Sequence, residues 1–402
     1  MNKHLLAQRL AVIKPSPTIA MTARAANLKK QGRDILSLSA GEPDFKTPSH
    51  IIAAAQMAME KGHTRYTNPA GLPAFRDAIV KKLARYNQLH YTAEQIHVGV
   101  GVKQVIANAL MATLNHGDEV IIPSPYWVSY IDLVLLFGGV PKIVMGQEEN
   151  NFKITANDLK TAISDKTKWF IINNPSNPTG VGYDKTELQA LGDVLQQHQN
   201  IYILSDEIYE FMVYDGFEFI TFAAAVPELF SRTMTLNGLS KAYAMTGFRV
   251  GYGAGPSDII NAMNILQSQL TSSTSTISQW AGVAALEGTH DFILPHNQEF
   301  VKRRDFVLGK LLQMDGIFCI KPHGAFYLYP SVKKFIGKKT PDGKVIKTDD
   351  DLAEYILEKG EVALVAGSAF GQSPYLRISY ATSMDILEKA MVRLASSLAE
   401  LR

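Results

Sequence analysis

Short apolar runs alternate with helical patterns along the chain from about residue 97 onward. This alternation is typical of a wound α/β sheet, in which helices cover the faces of mostly parallel strands. The runs that predict strands lie at residues 119–122, 141–144, 169–172, 202–205 and 233–236. Several of them end in a polar residue followed by a turn. Because ligands bind outside the carboxyl ends of strands in such sheets, we expect a binding cleft there.

Apolar residues at helical spacing predict the flanking helices. These helices cover residues 50–61, 72–87, 292–313 and 350–359. Nearer the N-terminus, residues 14–44 contain three prolines and predict an extended arm that leads into a short strand. Towards the C-terminus, residues 325–328 predict a strand, and residues 333–349, with six lysines, predict a solvated surface loop.

The length of 402 residues exceeds what one hydrophobic core usually covers, so the chain predicts two domains. We expect residues 1–45 to form an N-terminal arm and part of a small domain. Residues 46–292 are then the large domain with a mostly parallel wound sheet, and residues 293–402 are the smaller α/β C-terminal domain.

The composition is that of an ordinary globular enzyme, with 46% hydrophobic and 19% charged residues. A formal net charge of +2 without a dense basic run argues against nucleic-acid binding. No apolar segment reaches about 18 residues, so we expect no membrane span. The basic N-terminus is too short for a removable presequence, which favours the cytoplasm. No histidine pair has ligand spacing, so we expect no metal site, and Cys319 in its apolar run predicts a buried strand thiol.

Candidate chemistry is densest in residues 238–251, which read GLSKAYAMTGFRVG. Lys241 lies among small residues that allow a ligand to approach the backbone closely, and Arg249 offers a rigid fork suited to phosphate oxygens. A lysine acts as a Schiff-base nucleophile only when burial or neighbouring cations help its amine to lose a proton. Taken alone, the lysine would be interpreted as a solvated surface residue.

Four further motifs accompany the lysine segment: Gly-Glu-Pro-Asp-Phe at 41–45, Asn-Pro-Thr-Gly at 177–180, Asp-Glu-Ile-Tyr at 206–209 and Arg-Ile-Ser-Tyr at 377–380. Together they resemble the fold-type I, pyridoxal-phosphate-dependent class I aminotransferases, from about Leu6 to the C-terminus. The chain looks most like the bacterial aspartate aminotransferase branch, which includes prephenate aminotransferases. The resemblance implies the α/β fold of that family and a homodimer with shared active sites.

The resemblance implies that Lys241 is the catalytic residue and holds pyridoxal phosphate as a Schiff base. Asp206 would lie beside the pyridine nitrogen of the cofactor, where an ionised carboxylate favours the protonated ring. Tyr209 and Asn177 would donate to the phenolic oxygen, and Trp127 would stack on the ring. The alternative for Asp206 is a helix N-cap, and the alternative for Trp127 is a core residue.

The implied phosphate site combines a helix start with side chains from elsewhere in the chain. Its residues are Gly101, Val102, Lys103, Ser240, Arg249 and, from the neighbouring subunit, Tyr66. Backbone amides are the expected donors at the helix start, so the side chain at position 102 matters little. A loop tyrosine without this role is the alternative for Tyr66.

The substrate residues implied by the resemblance begin with Arg377, whose guanidinium would bind the α-carboxylate through two parallel hydrogen bonds. The other implied substrate contacts are Gly41, through its backbone amide, Trp127 and Asn177. Some members of the family bind the second carboxylate with an arginine in the segment that corresponds to residues 271–278, which contain no arginine here. In the branch that this chain resembles, a lysine in a Gly-x-Lys-Gln motif has that role, so the resemblance implies Lys103. Lys14 matches a position linked in this branch to prephenate use. Ser16, Thr18 and Ser275 carry hydroxyl groups that would assist. The alternative for Lys103 and Lys14 is a solvated surface charge.

The activity implied is transfer of the amino group of L-aspartate to 2-oxoglutarate, with prephenate or arogenate as a further substrate. Amino acids and 2-oxo acids are then the small-molecule partners. Alternatives on the same fold are an aromatic or alanine-type aminotransferase, a synthase or β-lyase, and a non-catalytic regulator that binds pyridoxal phosphate. A regulator would normally carry an added DNA-binding segment or lack the lysine, and neither feature is present.

Overall fold

The computed structural model describes residues 5–402, and its central feature is a seven-stranded sheet. The strands of the chain are β1 Leu36–Ser37, β2 Ile96–Gly99, β3 Glu119–Ser124, β4 Val140–Met145, β5 Thr167–Asn173, β6 Tyr202–Asp206, β7 Thr233–Gly238, β8 Gly251–Ala254, β9 Tyr327–Leu328, β10 Val362–Ala363, β11 Val365–Ala366 and β12 Leu376–Ser379. The central sheet has the order β2-β8-β7-β6-β5-β3-β4. Strand β8 pairs antiparallel with both of its neighbours, whereas the other pairs are parallel.

Helices cover this sheet and build much of the remaining structure. They are α1 Pro17–Lys30, α2 Ser49–Glu60, α3 Pro73–Asn87, α4 Val102–Thr113, α5 Ser129–Leu136, α6 Ala156–Ala162, α7 Lys185–Gln196, α8 Phe222–Ala225, α9 Ser257–Leu270, α10 Thr276–Glu287, α11 Ile293–Leu312, α12 Asp349–Gly360 and α13 Met384–Ala399. The predicted helices at 50–61, 72–87, 292–313 and 350–359 are confirmed to within one residue at each end by α2, α3, α11 and α12.

The five predicted strands are confirmed and lie within β3 to β7. Side chains of β5 and β7 are mostly buried because helices pack on both faces of the sheet, which accounts for their near-continuous apolar runs. Strand β4 lies at the edge of the sheet and is more exposed. Strand β8 escaped prediction because its sequence, Gly-Tyr-Gly-Ala, carries little apolar pattern. Steric crowding explains why the first residue of this strand is glycine: a Cβ atom at Gly251 would lie 2.5 Å from the backbone nitrogen of Val102 at the start of α4.

Two small sheets complete the fold. Strand β1 pairs parallel with β10, and β12 pairs antiparallel with β11 and β9. Leu36 and Leu38 are buried in one hydrophobic cluster with side chains of α11, α12 and α13. The N-terminal segment therefore packs against the C-terminal third of the chain. The division into residues 1–45, 46–292 and 293–402 stays a prediction.

The expectation of an extended arm over residues 14–44 was wrong for its central part, which forms α1. Pro17 is the first residue of this helix, where the missing backbone N–H costs no hydrogen bond and the fixed φ angle suits the helix. Prolines therefore mark the start of a helix here, and the residues that follow them have good helix propensity.

Two expectations near the C-terminus also need correction. In the predicted strand at 325–328 only Tyr327–Leu328 is a strand, because Ala325 has a positive φ of 57°. The predicted loop at 333–349 ends one residue early, since Asp349 is buried and begins α12. Cys319 is buried as expected, which raises the pKa of its thiol to about 12, but it lies beside an isolated bridge at Phe318 rather than in a strand.

Gly180, the last residue of the Asn-Pro-Thr-Gly motif, tests how closely the segments around the sheet edge must approach. It has a φ of 67°, and a Cβ atom there would lie 2.5 Å from the carbonyl oxygen of Gly324. We expect Gly180→Ala to lower the free energy of unfolding by about 2 kcal/mol or more, from left-handed strain and overpacking together.

Gly343→Ala is the matched control, because Gly343 has a φ of 88° but a Cβ atom there would have no other atom within 4 Å. It incurs the backbone strain alone, so its loss of stability should be about 1 kcal/mol. Urea unfolding followed by circular dichroism measures both variants. Equal losses in the two would contradict the close approach at Gly180.

Candidate active site

A cavity of about 360 Å³ opens at the carboxyl ends of β5, β6 and β7, where the strand pattern predicts a ligand site. The first turn of α4 forms one wall, and the segment from Ala40 to Glu42 forms another. Most predicted site residues line it: Gly41, Val102, Lys103, Trp127, Asn177, Asp206, Tyr209, Ser240, Lys241, Arg249 and Arg377. Gly101 lies next to this set, as the residue that precedes α4.

Lys241 follows the end of β7 and points its amine into this cavity. Its Nζ atom donates a hydrogen bond of 2.6 Å to the carbonyl oxygen of Gly41. Desolvation lowers the pKa of Lys241 to about 8. The positive charges of Arg377 and Arg249 also lower this pKa, whereas the carboxylates of Glu42 and Asp206 raise it. A substantial fraction of the amine is therefore neutral close to physiological pH, as a lysine nucleophile requires.

Asp206 is the last residue of β6 and is 4% exposed. Its Oδ2 atom accepts a hydrogen bond of 2.6 Å from the hydroxyl of Tyr130, and its Oδ1 atom accepts one of 3.3 Å from the backbone N–H of Ile208. Burial raises the pKa of Asp206 to about 6, while both hydrogen bonds and Lys241 act in the opposite direction. The group is thus mainly a carboxylate at neutral pH. No helix starts at Asp206, so the alternative of a helix N-cap is excluded.

An amide network joins Asp206 to the motif at 177–180. Asn173, the last residue of β5, donates from Nδ2 to the carbonyl oxygen of Asp206 at 2.9 Å. Its Oδ1 atom accepts from the backbone N–H of Asn177 at 2.8 Å. The nearby Tyr209 hydroxyl lies 3.0 Å from the hydroxyl of Tyr327, and burial holds the pKa of Tyr209 well above its usual range. These contacts fix neutral hydrogen-bonding groups around one side of the cavity.

Trp127 is half-buried on the cavity wall, ahead of α5. Its ring meets the edge of Tyr130 at a centroid distance of 5.3 Å and an angle of 85°. The Nζ atom of Lys103 lies 5.0 Å from the centroid of the indole. The packing against Tyr130 holds the indole in place, which leaves a flat aromatic surface beside the carboxylate of Asp206.

The start of α4 has the features of an anion site. Gly101 has a φ of 77°, and the backbone N–H groups of Val102 and Lys103 are the first two of the helix, which have no partner within it. Arg249 lies directly over this turn, since a Cβ atom on Gly101 would be 2.5 Å from its Nη2 atom. Ser240 lines the same cavity. Free amides, a hydroxyl and a guanidinium converge here, which fits a phosphate group.

Arg377, in β12, is 2% exposed and has no acidic partner among residues 5–402. Its Nη1 atom donates to Oδ1 of Asn177 at 3.1 Å, and its Nη2 atom donates to the carbonyl oxygen of Ser39 at 2.7 Å. The guanidinium lies 4.6 Å from the ring centroid of Tyr327 and 4.9 Å from that of Phe370. A buried cation without an acid costs several kcal/mol, so this arrangement calls for an anionic ligand.

Other predicted residues lie outside this cavity. Lys14 is exposed. Its backbone N–H, rather than its side chain, donates a hydrogen bond of 3.3 Å to Oδ1 of Asp132. Tyr66 is 88% exposed. The Oγ atom of Ser16 lies 2.9 Å from that of Thr18, which does line the cavity, whereas Ser275 caps the start of α10. The substrate role of Lys14 and the role of Tyr66 in a neighbouring subunit stay predictions.

Sequence reasoning missed several residues that the structure places in or against the cavity. They are Thr22, Glu42, Asn173, Thr246 and Tyr327 in its lining, and Tyr130 behind it. For Tyr130 a signal existed: it follows Trp127 by three residues, which puts both on one side of a helical turn. Glu42 and Asn173 lie within or next to quoted motifs, but side-chain direction could not be known from the sequence.

Among residues 5–402 there is no group of three or more histidine, cysteine or acidic side chains placed to hold a metal ion. Within the same part of the chain, no helix is both long and apolar enough to cross a membrane.

Known proteins of one family match the chain over nearly its whole length. The family described as aminotransferase class I and II matches residues 33–394. A probable aspartate/prephenate aminotransferase of Rhizobium leguminosarum bv. phaseoli is 52% identical over 389 residues, which are 97% of each chain. An aspartate/prephenate aminotransferase of Cereibacter sphaeroides is 49% identical over 389 residues, again 97% of each chain.

Solved structures agree with this assignment. The crystal structure of the aspartate aminotransferase from Rhizobium meliloti superposes with a TM-score of 0.96 at 46% identity and covers 99% of both chains. The aspartate aminotransferase from Thermus thermophilus with maleate gives a TM-score of 0.91 at 40% identity, covering 98% of this chain and 99% of the other. The α/β architecture and the expected fold are therefore confirmed, and the chain belongs to the class I and II aminotransferases, which depend on pyridoxal phosphate.

Proposed function

We propose that this protein transfers the amino group of L-aspartate to 2-oxoglutarate, with prephenate and arogenate as a further pair of substrates. The observation that carries the proposal is one cavity that combines the amine of Lys241, the carboxylate of Asp206 and the unpaired guanidinium of Arg377. Relatives named aspartate/prephenate aminotransferase, about half identical over nearly the full chain, support the choice of substrates.

The residues present fit pyridoxal phosphate at each of its functional groups. Lys241 supplies the amine for the aldehyde, Asp206 the carboxylate for the ring nitrogen, and Arg249 with the first turn of α4 the phosphate cradle. Tyr209 and Asn177 provide hydrogen bonds for the phenolic oxygen, and Trp127 provides the flat surface for the ring. When bound, the cofactor supplies an electron sink that stabilises negative charge at the substrate Cα atom.

The role of Lys241 follows from its protonation behaviour. With a pKa of about 8 the amine can accept a proton at neutral pH and give it up again, which suits a group that carries a proton to and from the substrate Cα atom. The hydrogen bond of 2.6 Å to the carbonyl oxygen of Gly41 holds the amine in the cavity. Lys241 therefore acts as the proton carrier of the reaction as well as the residue that binds the cofactor.

Arg377 orients the amino acid by binding its α-carboxylate. Asn177 and the carbonyl oxygen of Ser39 already hold the guanidinium, and the rings of Tyr327 and Phe370 sandwich it, so little order remains to be gained when substrate binds. A fixed fork aligns the carboxylate through two hydrogen bonds and so directs the Cα–H bond towards Lys241.

Lys103 is the cation available for the second carboxylate of aspartate or glutamate. It lines the cavity beside Trp127, and partial burial together with Arg249 lowers the pKa of its amine. Thr18 and Thr22 of α1 present hydroxyl groups to the same cavity. The role of Lys14 in prephenate use rests on the family resemblance at its position alone, because its exposed side chain does not line the cavity.

The proposal includes a homodimer in which Tyr66 completes the phosphate site of the neighbouring subunit, and a cytoplasmic location. Support for the dimer comes from the exposure of Tyr66 at 88% and from exposed apolar side chains on α2 and α9. Met57 and Met59 of α2 are each 50% exposed, and Ile265 of α9 is 68% exposed. Such side chains are commonly covered by a second subunit.

Replacing the lysine tests the proposed chemistry. We expect Lys241→Ala to lose the visible absorbance that bound pyridoxal phosphate has in the wild type, and to lower transamination of aspartate by about a thousandfold or more, because the proton carrier is gone. Lys160→Ala, at an exposed lysine of α6, is the control and should keep both properties. Full activity in Lys241→Ala would rule out the proposed role.

Replacing Lys103 tests the substrate. Loss of one charged hydrogen bond of about 1.5–3 kcal/mol predicts that Lys103→Ala lowers kcat/KM for aspartate by roughly 10- to 100-fold. Stopped-flow half-reactions with aspartate, glutamate, alanine, phenylalanine and arogenate measure the effect. Alanine serves as the internal control because it has no second carboxylate. An equal loss with alanine and aspartate would contradict the assignment of Lys103 to the second carboxylate.

A further inference from the structure

One charged side chain of the cavity has no part in the proposed function. The charged residues that line the cavity are Lys103, Lys241, Arg249, Arg377, Asp206 and Glu42. Under the proposed function the four cations and Asp206 each bind the cofactor or the substrate. Glu42 is left over, although an extra negative charge would repel both the cofactor phosphate and a dicarboxylic substrate. A group with this cost needs a role of its own.

The hydrogen bond of Glu42 ties its side chain to the loop that carries the lysine. It follows Gly41, whose carbonyl oxygen accepts the hydrogen bond from Nζ of Lys241. Its Oε2 atom accepts a hydrogen bond of 2.8 Å from the hydroxyl of Thr246, in the same loop as Lys241. The carbonyl oxygen of Thr246 in turn accepts from Nη1 of Arg249 at 3.0 Å. Glu42 is therefore tied by a hydrogen bond to the loop that carries both the lysine and the arginine.

We propose that Glu42 is a positioning residue whose carboxylate, held by Thr246, stabilises the protonated amine of Lys241 inside the cavity. This role rests on the proposed function of Lys241 as a proton carrier. A carrier that works in both directions must bear the proton for part of the cycle, when the amine is free. A carboxylate at Glu42 keeps that charged form accessible in a site that otherwise disfavours it.

The electrostatic surroundings of the amine agree with this geometry. Ionisable groups from several elements line the cavity together with Lys241. They are Glu42 of the N-terminal segment, Lys103 of α4, Asp206 of β6, Tyr209 of the turn after it, Arg249 of the lysine's own loop, Tyr327 of β9 and Arg377 of β12. Among the charges, Glu42 has the largest effect on the pKa of Lys241 and raises it. When a phosphate pairs with Arg249 and a substrate carboxylate pairs with Arg377, Glu42 remains as a charged group near Lys241 that pairs with neither cofactor nor substrate.

Replacing the carboxylate by an amide separates charge from shape. Glu42→Gln keeps an oxygen that can accept from Thr246 but removes the negative charge, whereas Glu42→Asp keeps the charge on a shorter side chain. Because the carboxylate favours the charged amine, its removal lowers the pKa of Lys241. We expect a fall of roughly half a unit in Glu42→Gln, given that the acid is exposed and screened by solvent, and a smaller change in Glu42→Asp.

Two measurements on the full chain detect this change without relying on turnover. In the cofactor-free protein, the pH dependence of Lys241 labelling by trace acetic anhydride, read by mass spectrometry, gives the pKa of the amine directly. In the holoenzyme, the pH titration of the visible cofactor absorbance gives the pKa of the linked group. Both midpoints should move to lower pH in Glu42→Gln. Glu388→Gln, at an exposed acid of α13, is the control and should titrate as the wild type does.

The labelling experiment tests the role of Glu42 separately from the proposed function, because it needs neither cofactor nor substrate. If Glu42→Gln, Glu42→Asp and the wild type have the same labelling midpoint while their circular dichroism spectra agree, the role of Glu42 is overturned. If the labelling midpoint falls in Glu42→Gln but the wild type lacks cofactor absorbance, the role in holding the ammonium stands and the proposed function fails. A return towards the wild-type midpoint in Glu42→Asp would support charge rather than hydrogen bonding as the cause.

Discussion

Desolvation of charge at the carboxyl edge of the central sheet is the constraint on which the site depends. Arg377 is 2% exposed and Asp206 is 4% exposed, and neither forms an ion pair within the described chain. Burial of this kind lowers stability unless a ligand compensates it. The same desolvation lowers the pKa of Lys241 to about 8 and raises that of Asp206 to about 6, so the pKa values of both groups lie close to neutral pH. Buried charges in the cavity thus lower the stability of the fold at the place where groups with shifted pKa values are available to bind ligands and react.

The N-terminal segment connects the two halves of this site. Strand β1 pairs with β10, and the carbonyl oxygen of Ser39 holds Arg377. A few residues further on, the carbonyl oxygen of Gly41 holds Lys241, and the hydroxyl of Thr47 donates to the carbonyl oxygen of Ala244 at 2.6 Å. One stretch of chain therefore positions both the guanidinium proposed to bind the substrate carboxylate and the amine proposed to carry the proton. This explains why a motif far from Lys241 in sequence belongs to the site.

The parts of the fold that a sequence can predict are those where one local pattern determines the structure. Strands β5 and β7 have nearly continuous apolar runs because both faces are buried, and all five strands from β3 to β7 were predicted correctly. Helix α1 was missed because proline starts a helix as readily as it breaks one, and β8 was missed because glycine leaves no pattern. In the site, motif residues such as Asp206 were predicted through a resemblance. Tyr130 and Glu42 belong to the site because of their side-chain directions and long-range contacts, which sequence spacing does not determine.

Binding of an unreactive C4 dicarboxylate tests the central claim most directly, because it isolates recognition of charge from chemistry. Calorimetric titration of succinate into the holoenzyme should show binding by the wild type. In Arg377→Met, which removes the guanidinium but keeps an apolar stem against Tyr327 and Phe370, affinity should fall by about a hundredfold or more. Retained cofactor absorbance in that variant shows that the site is intact. Succinate binding to Arg377→Met with wild-type affinity would contradict the account.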